Sequence, residues 1–236
     1  MHVYVETRIR ADLEDLWQAT QDPSQHQRWD LRFGRIDHLD GGLFRYATFG
    51  ISGTGVSTGT RHAADGSSTS ALRFGSRHPL SPIRSGSGYW RYIPTADGVR
   101  FLTSYGYRPH VLPTRLMWWA TAWSFDRLRL WLETGRTPRR SLCQALAEVF
   151  VRAAVILLVA STLPPLAAVA VSAAALALPP LPGTPAARRC LRRPPRPLEK
   201  PCPRSSSAPS ATRRSPASTP NSSAVSESGS TAAKPA

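Results

Sequence analysis

The sequence has little of several residue types, and each shortage excludes a class of protein. Its 236 residues include three cysteines, Cys143, Cys190 and Cys202, with no C-x-x-C pair, so neither a disulfide framework nor a zinc site is predicted. No aromatic residue follows Phe150, which removes the stacking platforms that proteins use to bind single-stranded nucleic acid. The first ten residues contain no apolar run, so no cleavable signal peptide is expected.

Lysine and acidic residues are unevenly distributed along the chain. Residues 1–135 contain no lysine and carry 16 arginines against 12 acids, a net charge of +4. Residues 136–236 carry 14 basic and 3 acidic residues, a net charge of +11. The strong positive charge therefore belongs to the C-terminal region, and no nucleic-acid partner is predicted.

The chain opens with a strand and a short helix. Residues 2–10 alternate between apolar and polar side chains, which is the period of a half-buried strand. Residues 11–23 place leucine and tryptophan side chains on one helical face, with Asp12 as a suitable N-cap and an Asp-Pro pair as the end.

Residues 33–107 predict an antiparallel meander. Asp-Gly turn signals at residues 40–42, 65–66 and 97–98 separate runs that alternate as strands do. The predicted strands cover residues 35–39, 43–49, 54–62, 69–77, 87–93 and 99–107. Together with the first strand they make a sheet of six to seven strands.

The pattern changes to a helical period after Pro113. Residues 114–134 contain neither proline nor glycine, and large apolar side chains recur every three to four positions. Gly135 then provides a suitable C-cap. The order of strand, helix, six strands and long helix predicts an α+β fold, with an antiparallel sheet packed on the C-terminal helix.

This order and several local sequences resemble the START-like, polyketide cyclase-related superfamily (SRPBCC). The resemblance covers about residues 1–135 and implies a helix-grip fold, in which a curved sheet wraps around the long helix with an apolar cavity between them. The superfamily includes lipid carriers, hormone receptors, cyclases and chaperone activators, so the resemblance fixes no ligand. The residues that carry it are 3–17, the T-Q-D-P sequence at 20–23 with Trp29 following, 89–92, 99–105, and the helix from Trp119 to Trp131.

Such a cavity suits a small hydrophobic or aromatic ligand, lipid or polyketide-like, because ligand pockets combine a mostly apolar wall with a few polar groups. Two alternatives stay open. One is a polyketide cyclase or aromatase, and the other is a protein-interaction module with a filled core and no cavity. The predicted cavity lining consists of Trp29, Tyr46, Phe74, Trp90, Phe101, Tyr105, Trp119 and Trp123.

Ligand binding is favoured over catalysis, because catalytic candidates are few. An enzyme on this fold needs a polar group inside the cavity, and alternation along residues 99–105 turns Tyr105 inward. The competing interpretation is a core tyrosine that binds one backbone group. The other polar candidates on the strands are Arg73, Arg91 and Tyr107.

Two further sequence patterns are weak indications of chemistry. Ser57 lies in a G-x-S-x-G sequence, but a nucleophile elbow needs a helix directly after the serine, and a strand end and a turn follow here. The six histidines show no metal-ligand spacing, so neither a metal nor a cofactor is predicted.

Residues 153–181 carry no charge, whereas a membrane span needs about 20 apolar residues. Pro164-Pro165 divides this run, which leaves a kinked single span and a re-entrant hairpin as alternatives. Arginines flank both ends, so the positive-inside rule does not orient a single span and suits a hairpin with cytoplasmic ends. An apolar linker that never inserts is the remaining interpretation.

These patterns divide the chain into four parts and predict a membrane-associated protein whose N-terminal domain is cytoplasmic. The last part is rich in proline, serine and arginine and is expected to be disordered, because it has too few large apolar side chains to form a core. The parts are a START-like domain (1–135), a basic linker or juxtamembrane helix (136–149), a hydrophobic transmembrane or re-entrant segment (150–181) and the tail (182–236).

Overall fold

In the described part of the chain, seven antiparallel strands form one sheet. The computed structural model describes residues 1–48, 50–81, 83–109 and 114–195. The order across the sheet is β1-β7-β6-β5-β4-β3-β2, so β2 to β7 are sequential neighbours and β1 pairs with the last strand. The strands are β1 (His2–Ile9), β2 (Arg35–His38), β3 (Leu43–Thr48), β4 (Ile51–His62), β5 (Ser68–Gly75), β6 (Ile83–Thr95) and β7 (Gly98–Pro109).

Five helices lie among the described residues. The first two carry the chain from β1 at one edge of the sheet to β2 at the other. The Asp22 side chain accepts the backbone N–H of Ser24 at 2.8 Å and so caps the second helix. The helices are α1 (Leu13–Gln21), α2 (Pro23–Trp29), α3 (Thr114–Thr134), α4 (Pro138–Thr162) and α5 (Pro165–Ala177), with short 3-10 turns at Asp40–Gly42 and Ala187–Arg189.

The Asp-Gly signals fall at turns in the structure. Gly66 and Gly98 have φ angles of 77° and 132°, in a region of backbone conformation that favours glycine. Two strands begin three or four residues earlier than alternation predicts: β4 at Ile51 instead of residue 54, and β6 at Ile83 instead of residue 87. Their glycine- and serine-rich starts resemble turns in sequence but pair with neighbouring strands in the sheet.

Helix α3 packs across the sheet, and the two together form the core. Phe101 of β7 and Phe125 of α3 stack with their ring centroids 4.5 Å apart, and both are fully buried. Each fully buried side chain of this size contributes about 1.5–3 kcal/mol to stability. This is the helix-grip arrangement, and the predicted α+β fold is confirmed. Around the stacked pair lie Val5, Ile9, Trp29, Tyr92 and Leu128.

Helices α4 and α5 form an antiparallel hairpin, the α4–α5 hairpin. Residues 138–149 of the predicted basic linker or juxtamembrane helix (136–149) are helical and form the first part of α4, which continues without interruption into the apolar stretch. Pro164 and Pro165 separate the two helices, because proline cannot continue a helix but suits its first turn. The Arg152 guanidinium of α4 donates to the Leu178 carbonyl, just beyond α5, at 2.8 Å. The two helices therefore run in opposite directions.

After the hairpin the chain returns to the domain through residues 184–191, the return segment. Leu191 and Glu6 of β1 exchange backbone hydrogen bonds of 2.8 and 3.1 Å. The prediction of disorder from residue 182 is therefore wrong for residues 184–191. Ala186, Ala187 and Cys190 of this segment are buried, and the Cys190 Sγ lies 3.3 Å from the Ala122 carbonyl of α3. The rest of the predicted tail, 196–236, lies outside the described residues.

Candidate ligand-binding cavity

A cavity of about 740 Å³ lies between the sheet and the first turns of α3. Its walls come from strands β2 to β7, from the α1–α2 region with the loop after it, and from α3. Leu80 and Leu116 line the cavity and are also exposed, which places its mouth between the β5–β6 connection and the start of α3. The aromatic side chains of the lining are Phe33, Phe44, Tyr46, Phe74, Tyr89, Trp90 and Tyr105.

Strand glycines make room for three of these rings. A Cβ atom at Gly55 would collide with the Phe44 ring of the neighbouring strand. Because the glycine has no side chain, the ring can lie against the sheet instead of projecting across the cavity. The volume of the cavity therefore depends on small residues in the strands. Three pairs are arranged in this way: Gly53 with Tyr46, Gly55 with Phe44 and Gly86 with Phe74.

The structure brings four of the eight predicted lining residues to the cavity and places four elsewhere. Trp29 and Phe101 are fully buried in the core. Trp119 and Trp123 line a different groove, on the side of α3 that faces the return segment. The prediction for these two is corrected because α3 is covered on two sides, and the cavity side carries smaller residues such as Ala120. The four at the cavity are Tyr46, Phe74, Trp90 and Tyr105.

A buried ion pair lies in the cavity wall directly after α2. The fully buried Asp30 carboxylate accepts hydrogen bonds from Arg32 Nε at 2.9 Å and from Arg32 Nη2 at 2.6 Å, and it contacts His26 Nε2 at 3.2 Å. Burial by itself raises the pKa of Asp30, but attraction to the Arg32 guanidinium and the hydrogen bonds outweigh it and hold that pKa well below its ordinary value. Both members of the pair therefore stay ionised at neutral pH.

Tyr105 continues this network to α3. Arg32 Nη1 donates to the Tyr105 hydroxyl at 3.3 Å, and the hydroxyl lies 2.8 Å from Thr121 Oγ1. Thr121 donates its own proton to the Met117 carbonyl at 2.8 Å, so Tyr105 must be the donor to Thr121. Burial raises the pKa of Tyr105, and the nearby Arg32 only partly opposes this. The Tyr105 hydroxyl is thus protonated, and it already donates its proton to Thr121.

Arg32 is the group that can still offer hydrogen bonds to a ligand. A guanidinium has five N–H donors, and three of those on Arg32 are taken by Asp30 and Tyr105 among the described residues. The other two belong to Nη1 and Nη2 of a side chain that lines the cavity. A buried cation surrounded by apolar groups favours an additional acceptor. The arrangement can therefore hold an apolar molecule that presents an oxygen atom to Arg32.

A second polar group lies at the α1 side of the cavity and is satisfied internally. The Tyr92 hydroxyl contacts Thr20 Oγ1 at 2.7 Å and accepts from Gln21 Nε2 at 2.9 Å. Gln21 Oε1 in turn accepts from the Ser70 hydroxyl at 3.1 Å. These contacts stabilise the packing of α1 on β5 and β6.

Sequence reasoning missed the ion pair and proposed other polar residues. Arg73 and Arg91 are exposed on the strands, and Ser57 lies within strand β4. The signal that could have indicated the site is the sequence D-L-R directly after Trp29, two opposite charges beside a buried aromatic residue. Among the described residues, no three histidine, cysteine, aspartate or glutamate side chains come together to hold a metal ion.

Comparisons with known proteins give one relative by sequence and several by structure. No protein-family model matches the chain. The chain is 43% identical over 169 residues to an uncharacterized membrane protein of Bacillus subtilis, YndG, and the match covers 63% of each chain. It therefore spans less than two thirds of that relative's length.

Two solved structures of similar fold have TM-scores below 0.5. The Aha1 dimer from Colwellia psychrerythraea matches with a TM-score of 0.44 and 14% identity, over 58% of this chain and 98% of its own. A STAR-related lipid transfer protein fragment from Xanthomonas axonopodis matches with a TM-score of 0.36 and 20% identity, over 47% of this chain and 71% of its own.

Proposed function

We propose that the N-terminal domain binds a small, largely apolar molecule that carries a hydrogen-bond acceptor, and that the α4–α5 hairpin attaches the protein to a membrane. The observation that carries the first part is the cavity of about 740 Å³ with the Arg32 guanidinium in its otherwise mostly apolar wall. Pockets of about 300–1,000 Å³ hold small-molecule ligands in other proteins. A lipid or a polyketide-like aromatic compound has the apolar body and the oxygen atom that such a site requires.

A cyclase or aromatase is the second candidate, and the contact between Arg32 and Tyr105 favours it. A guanidinium fixed in a dry cavity can polarise a carbonyl group and stabilise the negative charge that develops on its oxygen. Tyr105 is unsuited to act as a base, because burial raises its pKa. In such an enzyme Arg32 would act on the carbonyl, and Tyr105 would hold the guanidinium in place. The interaction module with a filled core is disfavoured by the cavity.

The proposed membrane attachment is supported by the exposed apolar surface of the hairpin. Among the described residues, α4 is the one helix long and apolar enough to cross a membrane, with a mean hydropathy of 2.1 over 18 residues that are not buried. The relative from Bacillus subtilis is named as a membrane protein. Arginines at both ends of the hairpin favour a cytoplasmic location for the domain.

Mass spectrometry of the purified full chain tests the binding function. The full chain is used because the return segment covers α3. Native spectra and solvent extracts of the protein in detergent should contain an apolar small molecule. The double variant Asp30→Asn with Arg32→Met should lose it, and it avoids leaving one buried charge without its partner.

Arg35→Met is the matched control, because Arg35 also pairs with an aspartate two residues away but its side chain is 74% exposed. This variant should retain the ligand. An empty wild-type protein, or equal binding by the double variant, would contradict the proposal.

A further inference from the structure

The chain that enters the α4–α5 hairpin is anchored in the domain. Pro138, the first residue of α4, is buried, and its carbonyl accepts a hydrogen bond from Arg127 Nε of α3 at 2.8 Å. Ser141, one turn later, is fully buried. The start of α4 is therefore part of the folded domain.

The chain that leaves the hairpin is anchored in the same domain. The Asp126 carboxylate of α3 accepts hydrogen bonds from the Ala186 backbone N–H at 2.8 Å and from Arg189 Nη1 at 2.9 Å. The Leu191 backbone then pairs with Glu6 of β1. A folded domain lies on one side of a membrane, so two chain ends packed into it must lie on that same side.

Arg152 joins the two helices at the base of the hairpin. It donates to the carbonyls of Ala175, Leu178 and Pro179 at 2.5, 2.8 and 3.1 Å. The last carbonyls of a helix have no partner within the helix, and this guanidinium provides one. Arg152 therefore joins the C-terminal end of α5 to the middle of α4.

The uncharged arms beyond Arg152 are too short to cross a bilayer, although the whole of α4, which includes Glu148 and Arg152, is long enough. Residues 153–162 of α4 and all of α5, residues 165–177, carry no charge. At 1.5 Å per residue these arms are about 15 and 20 Å long, whereas the hydrocarbon core of a bilayer is about 30 Å thick. Each arm reaches the depth of roughly one leaflet.

The base of the hairpin carries the residues that proteins place at the membrane surface. Trp119, Arg188 and Arg192 line a groove together with Leu176 and Leu178 at the end of α5. Tryptophan is enriched at membrane interfaces, and arginine near the surface is attracted to anionic lipid headgroups. α3 thus supplies a tryptophan at this level, in addition to Phe150 of α4, which is exposed.

We propose that the α4–α5 hairpin is a re-entrant insert that occupies one leaflet, with the Pro164-Pro165 turn near the middle of the bilayer and both ends on the side of the domain. The proposal rests on the membrane attachment described above. The exposed apolar surface of the hairpin then contacts the lipid acyl chains of a single leaflet. The basic and aromatic residues at the base of the hairpin contact the lipid headgroups.

Reporter fusions to the full chain test the topology. A fluorescent protein that matures only in the cytoplasm and a phosphatase that is active only outside are fused separately to each end of the chain. The membrane fraction is collected after a high-salt and carbonate wash. We expect fluorescence and no phosphatase activity from both ends. Phosphatase activity at the C-terminal end alone would overturn the re-entrant insert and leave the attachment intact, whereas recovery in the washed soluble fraction would overturn both.

A cysteine placed near the turn supplies a second readout. Leu166→Cys, at the first turn of α5, should resist a membrane-impermeant maleimide from either side of sealed membranes. The native Cys143, exposed near the start of α4, is the control and should react from the cytoplasmic side. Modification of residue 166 from outside would show that α4 crosses the bilayer.

Discussion

The sheet domain and the hairpin use apolar side chains in opposite ways. In the domain, Phe101 and Phe125 are fully buried, whereas Leu157 of α4 and Leu166 of α5 are 71% and 88% exposed. Continuous exposed apolar surface marks an interaction with a membrane or another protein. The comparison shows that one region encloses its own apolar interior, while the other depends on an apolar environment supplied from outside. The two regions meet at α3, which has the cavity on one side and the return segment on the other.

The largest expected effect is at Asp126, where the two regions are joined. Its buried carboxylate binds Arg129 at 2.7 Å, Arg189 at 2.9 Å and the Ala186 backbone at 2.8 Å. Asp126→Ala should lower the free energy of unfolding by about 3–5 kcal/mol, because two partly buried arginines lose their counter-charge and the buried Ala186 N–H loses its acceptor. Chemical denaturation of the full chain in detergent measures this. Asp97→Ala, which breaks the exposed pair with Arg8, should cause no measurable change.

The reactivity of Cys190 with a maleimide reports whether the return segment is still packed on the domain. Burial raises the pKa of Cys190 to about 12, and Cys143 is exposed. A maleimide should therefore modify Cys143 and spare Cys190 in the wild type, and modify both in Asp126→Ala. Peptide mass spectrometry distinguishes the two sites. Continued protection of Cys190 in the variant would mean that Asp126 does not hold the return segment.

A change inside the cavity should affect ligand binding by the domain without affecting the hairpin. Gly55→Ala places a Cβ against the Phe44 ring, so the ring should turn into the cavity, at a cost of about 1–3 kcal/mol for overpacking. The amount of co-purified ligand should fall, while the share of protein in the membrane fraction stays constant.

Gly106→Ala is the control for this change, because a Cβ there meets its nearest neighbour at 3.8 Å. Its free energy of unfolding should stay constant or rise by about 0.4–1 kcal/mol. Equal ligand content in both variants would contradict the role assigned to the strand glycines.

The smallest expected effect is the response of the domain to alkaline pH. Burial raises the pKa of Tyr46 to about 12, compared with about 10 in an unfolded chain. The stabilisation from the neutral phenol is thus complete below about pH 10 and is lost as the pH rises toward 12. In Tyr46→Phe, the free energy of unfolding should fall by about 1–2 kcal/mol less across this pH window than in the wild type. A pH profile in Tyr46→Phe identical to that of the wild type would contradict this assignment.

The fold could be predicted because its signals are local. Alternation and Asp-Gly turns define each strand within a dozen residues, and α3 is a single uninterrupted helical pattern. The glycine-rich starts of β4 and β6 escaped this reasoning, because a glycine that makes room for a neighbouring ring looks like a turn residue when read along the chain. Only the pairing across strands distinguishes the two roles.

The cavity was predicted only in part, for two physical reasons. Asp30 and Arg32 lie in a loop after α2, where no period indicates which way a side chain faces. Trp119 and Trp123 were assigned to the cavity because a rich aromatic face suggests one buried side, but the return segment gives α3 a second one. That segment has the composition of a disordered chain, and it packs through small side chains and backbone hydrogen bonds that composition does not reveal.

The pairing of Leu191 with Glu6 also sets an order of events during synthesis. β1 leaves the ribosome before the hairpin, and its partner in the return segment leaves only after the whole hairpin. The contacts that cover α3 therefore form only after the apolar arms have emerged. Until the return segment has been synthesised, the backbone of Glu6 and the tryptophan side of α3 lack their contacts with it. Synthesis of the whole hairpin thus precedes the last step in folding the domain.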